Sequence, residues 1–331
     1  MKSKLEDLFN QLTSKSISSS KEVVFFALKI PGYTDRHIGK DSNNQPAILI
    51  STKNIKTYPA NQIMENLRIE HGLKVKIVES NNSYSEGIYS IIQCTSNDIE
   101  IKRYFLRVID SIIHTLPETV SSRDISIIID RLTCLFLSLK QPARKSILGL
   151  WSELFIIVSS INSIFMLQSW HNDPYETYDF SCDLSRLEVK SSSKTRCHYF
   201  SFQQVYPPDN IDLIIASVIV KESSSGLSLL DLWDNAKEIA GDDFELRSKV
   251  DRICTESLGT DFQKNLFKCF DLNIAKSSLI FYHISEIPKV PREIPAGVSE
   301  ITFKSDLSFT HKLDRIVTIK NTIFNAYYGN D

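Results

Sequence analysis

Tyr178-Asp179-Phe180-Ser181-Cys182-Asp183-Leu184-Ser185-Arg186-Leu187-Glu188-Val189-Lys190 decides how this chain is read. Two short β-like segments flank a turn-like centre and can pair as a hairpin. On the second segment side chains alternate between faces, so Glu188 and Lys190 point one way while Leu187 and Val189 point into a core. Asp179 lies on the first. Two carboxylates and an ammonium then converge, which suits a hard divalent cation beside a water that must lose a proton. Asp183 is the rival to Asp179 and stands nearer Glu188. It falls in the turn itself, where an Asp bonds its own backbone, and the aromatic flanks of Asp179 favour the latter.

Upstream, residues 144–162 predict a helix that is apolar around most of its circumference: Ile147, Leu148, Leu150, Trp151, Leu154, Phe155, Ile157 and Val158. Glu153 is embedded in it. A buried carboxylate is costly unless paired or bound to a cation, so Glu153 is either a capped structural group or a member of a metal site. Gly149, one turn earlier, is expected to leave space beside the acid. Downstream, Ser191-Ser192-Ser193-Lys194 is small and polar and could border a phosphate path.

Working outward, 23–28, 47–50, 73–78 and 87–94 read as strands after a short helix over 5–12, giving a β-rich N-terminal domain over 1–98. Helical spacing over 99–116 and 124–139 makes 99–140 a helical connector. The central domain spans 141–225, with a further strand over 196–202 and a continuous apolar run over 211–220, as expected for a strand buried on both faces. A Ser-rich turn at 223–225 precedes a helical or mixed C-terminal segment, 226–331. Helices are expected there over 229–240 and 242–257, and strands over 277–284 and 298–303. The fold class is α/β. Trp170-His171-Asn172-Asp173-Pro174 reads as a loop, and Phe25, Phe26, Tyr33 and Tyr58 as core aromatics more than as base-stacking groups.

Across 331 residues, 42% hydrophobic and 24% charged, the balance is that of a soluble globular protein. No apolar run is long enough to span a bilayer, and Met1 to Leu12 is charged and amphipathic rather than a signal peptide. Cys94, Cys134, Cys182, Cys197, Cys254 and Cys269 form no Cys-x-x-Cys pair, so reduced thiols and a cytoplasmic location are expected. No Walker-type loop appears, so ATP use is not expected of this chain. A protein that clamps DNA alone usually carries a larger basic excess than a net charge of -2 allows.

The order helix Glu153, Asp179, then Glu188-x-Lys190 resembles the PD-(D/E)XK nuclease superfamily. More narrowly, Gly149-Leu150-Trp151-Ser152-Glu153-Leu154, Tyr178-Asp179-Phe180 and Leu187-Glu188-Val189-Lys190-Ser191 look like a bacterial PD-(D/E)XK family of largely uncharacterised function. Arg196-x-His198, followed by Gln203-Gln204, is similar to that family's pattern as well. The resemblance rests mainly on residues 145–205, and Tyr178 stands where the superfamily usually has proline. It implies a restriction-endonuclease-like core, a mixed sheet flanked by helices, hydrolysing DNA phosphodiester bonds with Mg²⁺ or Mn²⁺. Asp179, Glu188, the Val189 carbonyl and Glu153 would hold the metal. Lys190 would orient or deprotonate the attacking water, Arg196 and His198 would approach phosphate, and Gln204 would brace the site or contact the scissile strand. For His198 the rival reading is a hydrogen-bonded structural residue; for Arg196 a guanidinium fork suits phosphate.

Such families sit in restriction-like, phage-defence gene groups beside helicase-like ATPases and methyltransferases, so an ATPase or helicase-type partner is implied. A homodimer would supply the paired sites that double-strand cutting needs. The reading from a different class is a catalytically silent scaffold or DNA-binding subunit of such a complex. The presence of every charged member of the motif argues for the enzyme, because clustered carboxylates repel one another.

Overall fold

A computed structural model describes residues 4–12, 23–52, 55–78, 84–173, 176–313 and 320–329. The chain forms two compact units, Met1–Lys140 and Gln141–Asp331. Among the described residues no helix is long and apolar enough to cross a membrane.

The first unit contains α1 (Lys4–Gln11), β1 (Val23–Lys29), β2 (Arg36–Lys40), β3 (Pro46–Ser51), β4 (Gln62–Ile63), β5 (Leu67–Val78), β6 (Tyr84–Cys94), α2 (Ile99–Ile113) and α3 (Ser122–Ser138). The strands run in the order β1-β2-β3-β6-β5, and a parallel β1–β5 pairing closes them into a five-stranded barrel, with β4 appended to β5. Alternating residues of these strands, Phe25, Ala27, Ala47, Leu49, Val75, Ile77, Tyr89 and Ile91, fill a core. A Cβ at Gly39 would lie 2.9 Å from Leu49 Cδ1, which explains glycine on β2. The helices read as a connector lie within this unit, α2 against β6 and α3 against β5.

β2 carries no apolar alternation, yet Arg36 is fully buried. Its guanidinium donates to the carbonyl of Ile113, the last residue of α2, and to those of Leu116 and Pro117 beyond it, and Lys40 Nζ donates to the Leu12 carbonyl. Carbonyls left open at helix ends thus satisfy cations that would otherwise exclude this segment from a core.

The second unit contains α4 (Ile147–Ser159), α5 (Ser163–Ser169), β7 (Phe180–Cys182), β8 (Ser185–Ser192), β9 (Cys197–Ser201), α6 (Phe202–Val205), β10 (Asp212–Ile219), β11 (Glu222–Ser228), α7 (Leu229–Ala240) and α8 (Phe244–Leu258). It continues with α9 (Phe262–Asn265), β12 (Cys269–Phe270), α10 (Leu272–Ser278), β13 (Ile280–His283), β14 (Thr302–Asp306) and α11 (Thr322–Tyr328). Its central sheet is mixed, in the order β13-β10-β8-β7; β8 and β10 are parallel and the outer pairings antiparallel. The β10 residues from Leu213 to Val218 are all buried, as the apolar run predicts. Glu188 and Lys190 share a sheet face with Ile215 and Ser217, their register partners on β10. That face packs on Phe200, Val205, Tyr282 and Leu307. α4 packs against β8 and α7.

Some expectations are corrected. Residues 197–201 form a separate ribbon with β14 rather than a strand of the central sheet. The Ser-rich turn at 223–225 lies inside β11, which pairs with β12; a Cβ at Gly226 would sit 2.0 Å from the Phe270 carbonyl oxygen, so close backbone approach requires glycine there. The strand expected over 277–284 begins only after α10, at Ile280, and the strand expected over 298–303 is displaced to Thr302–Asp306. β13 and α11 complete the central sheet and its cover, so residues beyond 225 are part of the same unit as the hairpin.

Candidate metal centre

α4 starts at Ser146, whose hydroxyl accepts the Gly149 N–H at 3.1 Å. Residues 150 to 157 of this helix are all buried, so its apolar circumference carries Glu153 into the interior. Lys145 stands just before the cap. Its amide and that of Arg144 donate to the Ser257 carbonyl near the end of α8, at 3.3 and 3.0 Å. A Cβ on Gly149 would meet only Ser146 Oγ, at 3.4 Å, so the space beside this glycine is open.

Asp179 immediately precedes β7. Across from it, the chain leaving α5 pairs Trp170 with Phe180, and the His171 N–H donates to the Asp179 carbonyl at 2.9 Å. Lys249 of α8 holds this corner by donating to the carbonyls of Leu167, Gln168 and Trp170. Asp183 lies in the two-residue turn between β7 and β8 with φ +46°, as a turn former would.

These elements bring together Lys145, Glu153, Trp170, His171 and Asp179. Lys145 Nζ bridges Glu153 Oε1 at 2.6 Å and Asp179 Oδ1 at 2.7 Å. Glu153 Oε2 accepts Trp170 Nε1 at 2.8 Å and faces His171 Nε2 at 3.3 Å. Asp179 Oδ2 accepts the Val189 N–H at 2.9 Å. On β8, Glu188 Oε1 accepts from Lys190 Nζ at 2.9 Å and from Gln204 Nε2 at 2.7 Å, while Gln204 Oε1 accepts from Lys190 at 3.1 Å. A capping box between Ser201 and Gln204 at the start of α6 fixes that glutamine.

Electrostatics separate the acids. Burial pushes the Glu188 carboxyl up to about 7, the Asp179 charge adds to this, and Lys190 only partly offsets it. Asp179 is also raised, by burial and then by Glu153. Burial would raise Glu153 too, but Lys145 and His171 hold it down at about 2. Lys145 is held protonated: burial opposes its charge, and Asp179 and Glu153 outweigh that.

Glu188 Oε2 is buried and, among the described residues, accepts no hydrogen bond. Such a carboxylate oxygen is unusual in a folded interior. A buried oxygen of this kind fits a hard divalent cation, and the oxygen donors of Asp179, Glu188, Val189 and Glu153 are of the type that Mg²⁺ or Mn²⁺ takes. Among the described residues, the group whose ligand atoms all lie within 4.8 Å of one another is Glu153, His171 and Asp179, with Glu188 outside it.

Gln204, expected to brace the site or contact the scissile strand, is inside this network. Arg196 and His198, expected to approach phosphate, turn inward instead. The Arg196 guanidinium donates to the carbonyl and hydroxyl of Ser217 and to the Ser278 carbonyl, and the His198 ring, 3% exposed, places Nε2 2.8 Å from Ser217 Oγ. Both are committed to bracing β10. The sequence reading passed over Lys145, Trp170 and His171. The last two fall in the stretch expected to be a loop, of which Pro174 lies outside the described residues. A tryptophan and histidine adjacent in an otherwise polar stretch were the available signal.

No curated protein and no solved structure matches the chain. Residues 5–308 match the family described as "Putative PD-(D/E)XK family member, (DUF4420)". The chain belongs to that family.

Proposed function

We propose that this protein is a divalent-metal-dependent endonuclease that hydrolyses DNA phosphodiester bonds, working in a bacterial anti-phage or restriction-type system. The observation that carries the reading is the buried Glu188 Oε2, which among the described residues accepts no hydrogen bond, on a carboxyl that feels the Asp179 charge and pairs with Lys190 through Oε1. Asp179, Glu188, the Val189 carbonyl and Glu153 would hold Mg²⁺ or Mn²⁺. When bound, such an ion polarises the phosphoryl oxygen and acidifies a water. Lys190 spends N–H donors on Glu188 and Gln204, which keeps its ammonium at the site to orient the attacking water and offset phosphate charge. Gln204 bridges Glu188 and Lys190 and so sets their spacing. With a net charge of -2, DNA capture falls to partners, such as an ATPase of helicase type, or to a second copy.

The alternative is a scaffold with a silent nuclease-like unit. Its support is Lys145, whose ammonium bridges Glu153 and Asp179 and offsets one of their two charges. The test is cleavage of supercoiled plasmid and single-stranded DNA with Mg²⁺ or Mn²⁺, wild type beside Lys190→Ala. Metal-dependent nicking reduced on the order of 100-fold or more in the variant supports the enzyme. Equal nicking by both removes Lys190 from the mechanism.

A further inference from the structure

Lys145 Nζ occupies a position normally associated with a bound cation. It is 2.6 Å from Glu153 Oε1, 2.7 Å from Asp179 Oδ1 and 3.3 Å from His171 Nε2. The surrounding ligand side chains are buried, those of Glu153 and His171 at 3% exposure, whereas Lys145 is 22% exposed. Lys145 is thus the most exposed member of the cluster, its stem reaching in from the partly exposed residue just before α4. The imidazole is oriented from one side only: Nδ1 is buried and, among the described residues, has no hydrogen-bond partner, so the polar contacts of the ring are those of Nε2 with Lys145 and Glu153. In the Nδ1–H tautomer Nε2 turns a lone pair to the cation in the Lys145 position, and in the Nε2–H tautomer it donates to Glu153 instead; metal binding selects the first. Replacing the tethered monovalent cation by a divalent one gives a mixed nitrogen and oxygen donor set.

We propose that Glu153, Asp179 and His171 form a divalent-metal site with a coordinating imidazole, filled by the Lys145 ammonium when no metal is bound and selective for Mn²⁺ over Mg²⁺. Imidazole favours first-row transition ions, whereas Mg²⁺ prefers oxygen donors and its own waters. Lys145 is displaced on binding, because an ammonium and a divalent cation repel within a shared pocket. The inference rests on the metal-centre reading above, but not on catalysis.

The experiment is Mn²⁺ and Mg²⁺ titration of the full chain by calorimetry, with electron spin-echo modulation of bound Mn²⁺. Wild type is expected to bind Mn²⁺ with ¹⁴N coupling from a directly coordinated imidazole. His171→Asn should lose that coupling and bind Mn²⁺ about 10-fold or more weakly, with a smaller change for Mg²⁺. Lys145→Met should bind Mn²⁺ tighter, by about 10-fold, since no ammonium competes. Should that variant fail to fold, the wild-type spin-echo spectrum still decides. Bound Mn²⁺ without ¹⁴N coupling, an unchanged His171→Asn affinity, or no Mn²⁺ binding would overturn the site. Nicking with Mg²⁺ but no nitrogen coupling sinks this inference and leaves the nuclease reading intact. Nitrogen-coordinated Mn²⁺ in a protein that cuts nothing does the reverse.

Discussion

The Asp179 side chain is latched to the strand that carries its partner acid: Oδ2 accepts the Val189 N–H at 2.9 Å, between Glu188 and Lys190. One hydrogen bond thereby fixes the spacing of both carboxylates from the backbone. Its other oxygen is left for Lys145. The Asp179 charge contributes to the raised Glu188 carboxyl, so the two acids feel each other's repulsion.

Glu188→Gln should show the cost of that arrangement. The buried carboxyl, pushed up to about 7, is ionised at mildly alkaline pH only against its surroundings. A neutral amide keeps an acceptor for Gln204 and removes the charge. Urea melts of the apo protein at pH 8 should find the variant at least as stable as wild type, by up to about 1 kcal/mol. Metal-dependent nicking should fall on the order of 100-fold or more. A clearly destabilised variant would mean the carboxylate is a structural anion.

Trp170→Phe removes the indole N–H that Glu153 Oε2 accepts at 2.8 Å in a buried setting. A charged acceptor then loses a donor while ring packing is largely kept. The expected loss is about 1–3 kcal/mol of unfolding free energy, read by denaturant melts monitored by circular dichroism. No change would show that His171 or water replaces the indole.

Gln204→Ala tests a positioning residue. Gln204 Nε2 donates to Glu188 Oε1, and Oε1 accepts from Lys190. Without it the Glu188 charge is less well solvated, so the acid limb of the pH–rate profile should move to higher pH and the turnover number should drop roughly 10-fold. A merely structural role would lower the folded fraction and leave the profile where it is.

His198 should report on stability rather than cleavage. Burial, with Lys190 and Arg196 nearby and only Asp306 opposing, lowers it from 6.5 to about 4. The folded state therefore binds this proton less readily than the unfolded chain. The contribution is fully present above pH 6.5 and is lost as pH falls through 6.5 towards 4. Comparing urea melts of wild type and His198→Asn across pH 4 to 7 should show a shallower acid loss in the variant, by on the order of 2–3 kcal/mol. Parallel curves would mean the ring is accommodated as an imidazolium.

Periodicity made much of the scaffold legible. The apolar run of β10, the helix around Glu153 and the alternation of Leu187 and Val189 against Glu188 and Lys190 follow from residue spacing, because burial of a regular element imposes its period on the sequence. The strand β2 was missed for the converse reason: Arg36 and Lys40 are buried through carbonyls supplied by segments distant in sequence, and no local pattern records them. The same division runs through the metal centre. The order of Glu153, Asp179, Glu188 and Lys190 is legible along the chain, since their spacing is a local property of a helix and a hairpin. Only the tertiary structure decided that Lys145 bridges two of the acids, that His171 and Trp170 close the pocket, and that Arg196 and His198 face inward. Those contacts join elements whose approach is set by packing, and a side chain's partner in a folded interior is chosen by proximity in space rather than along the chain.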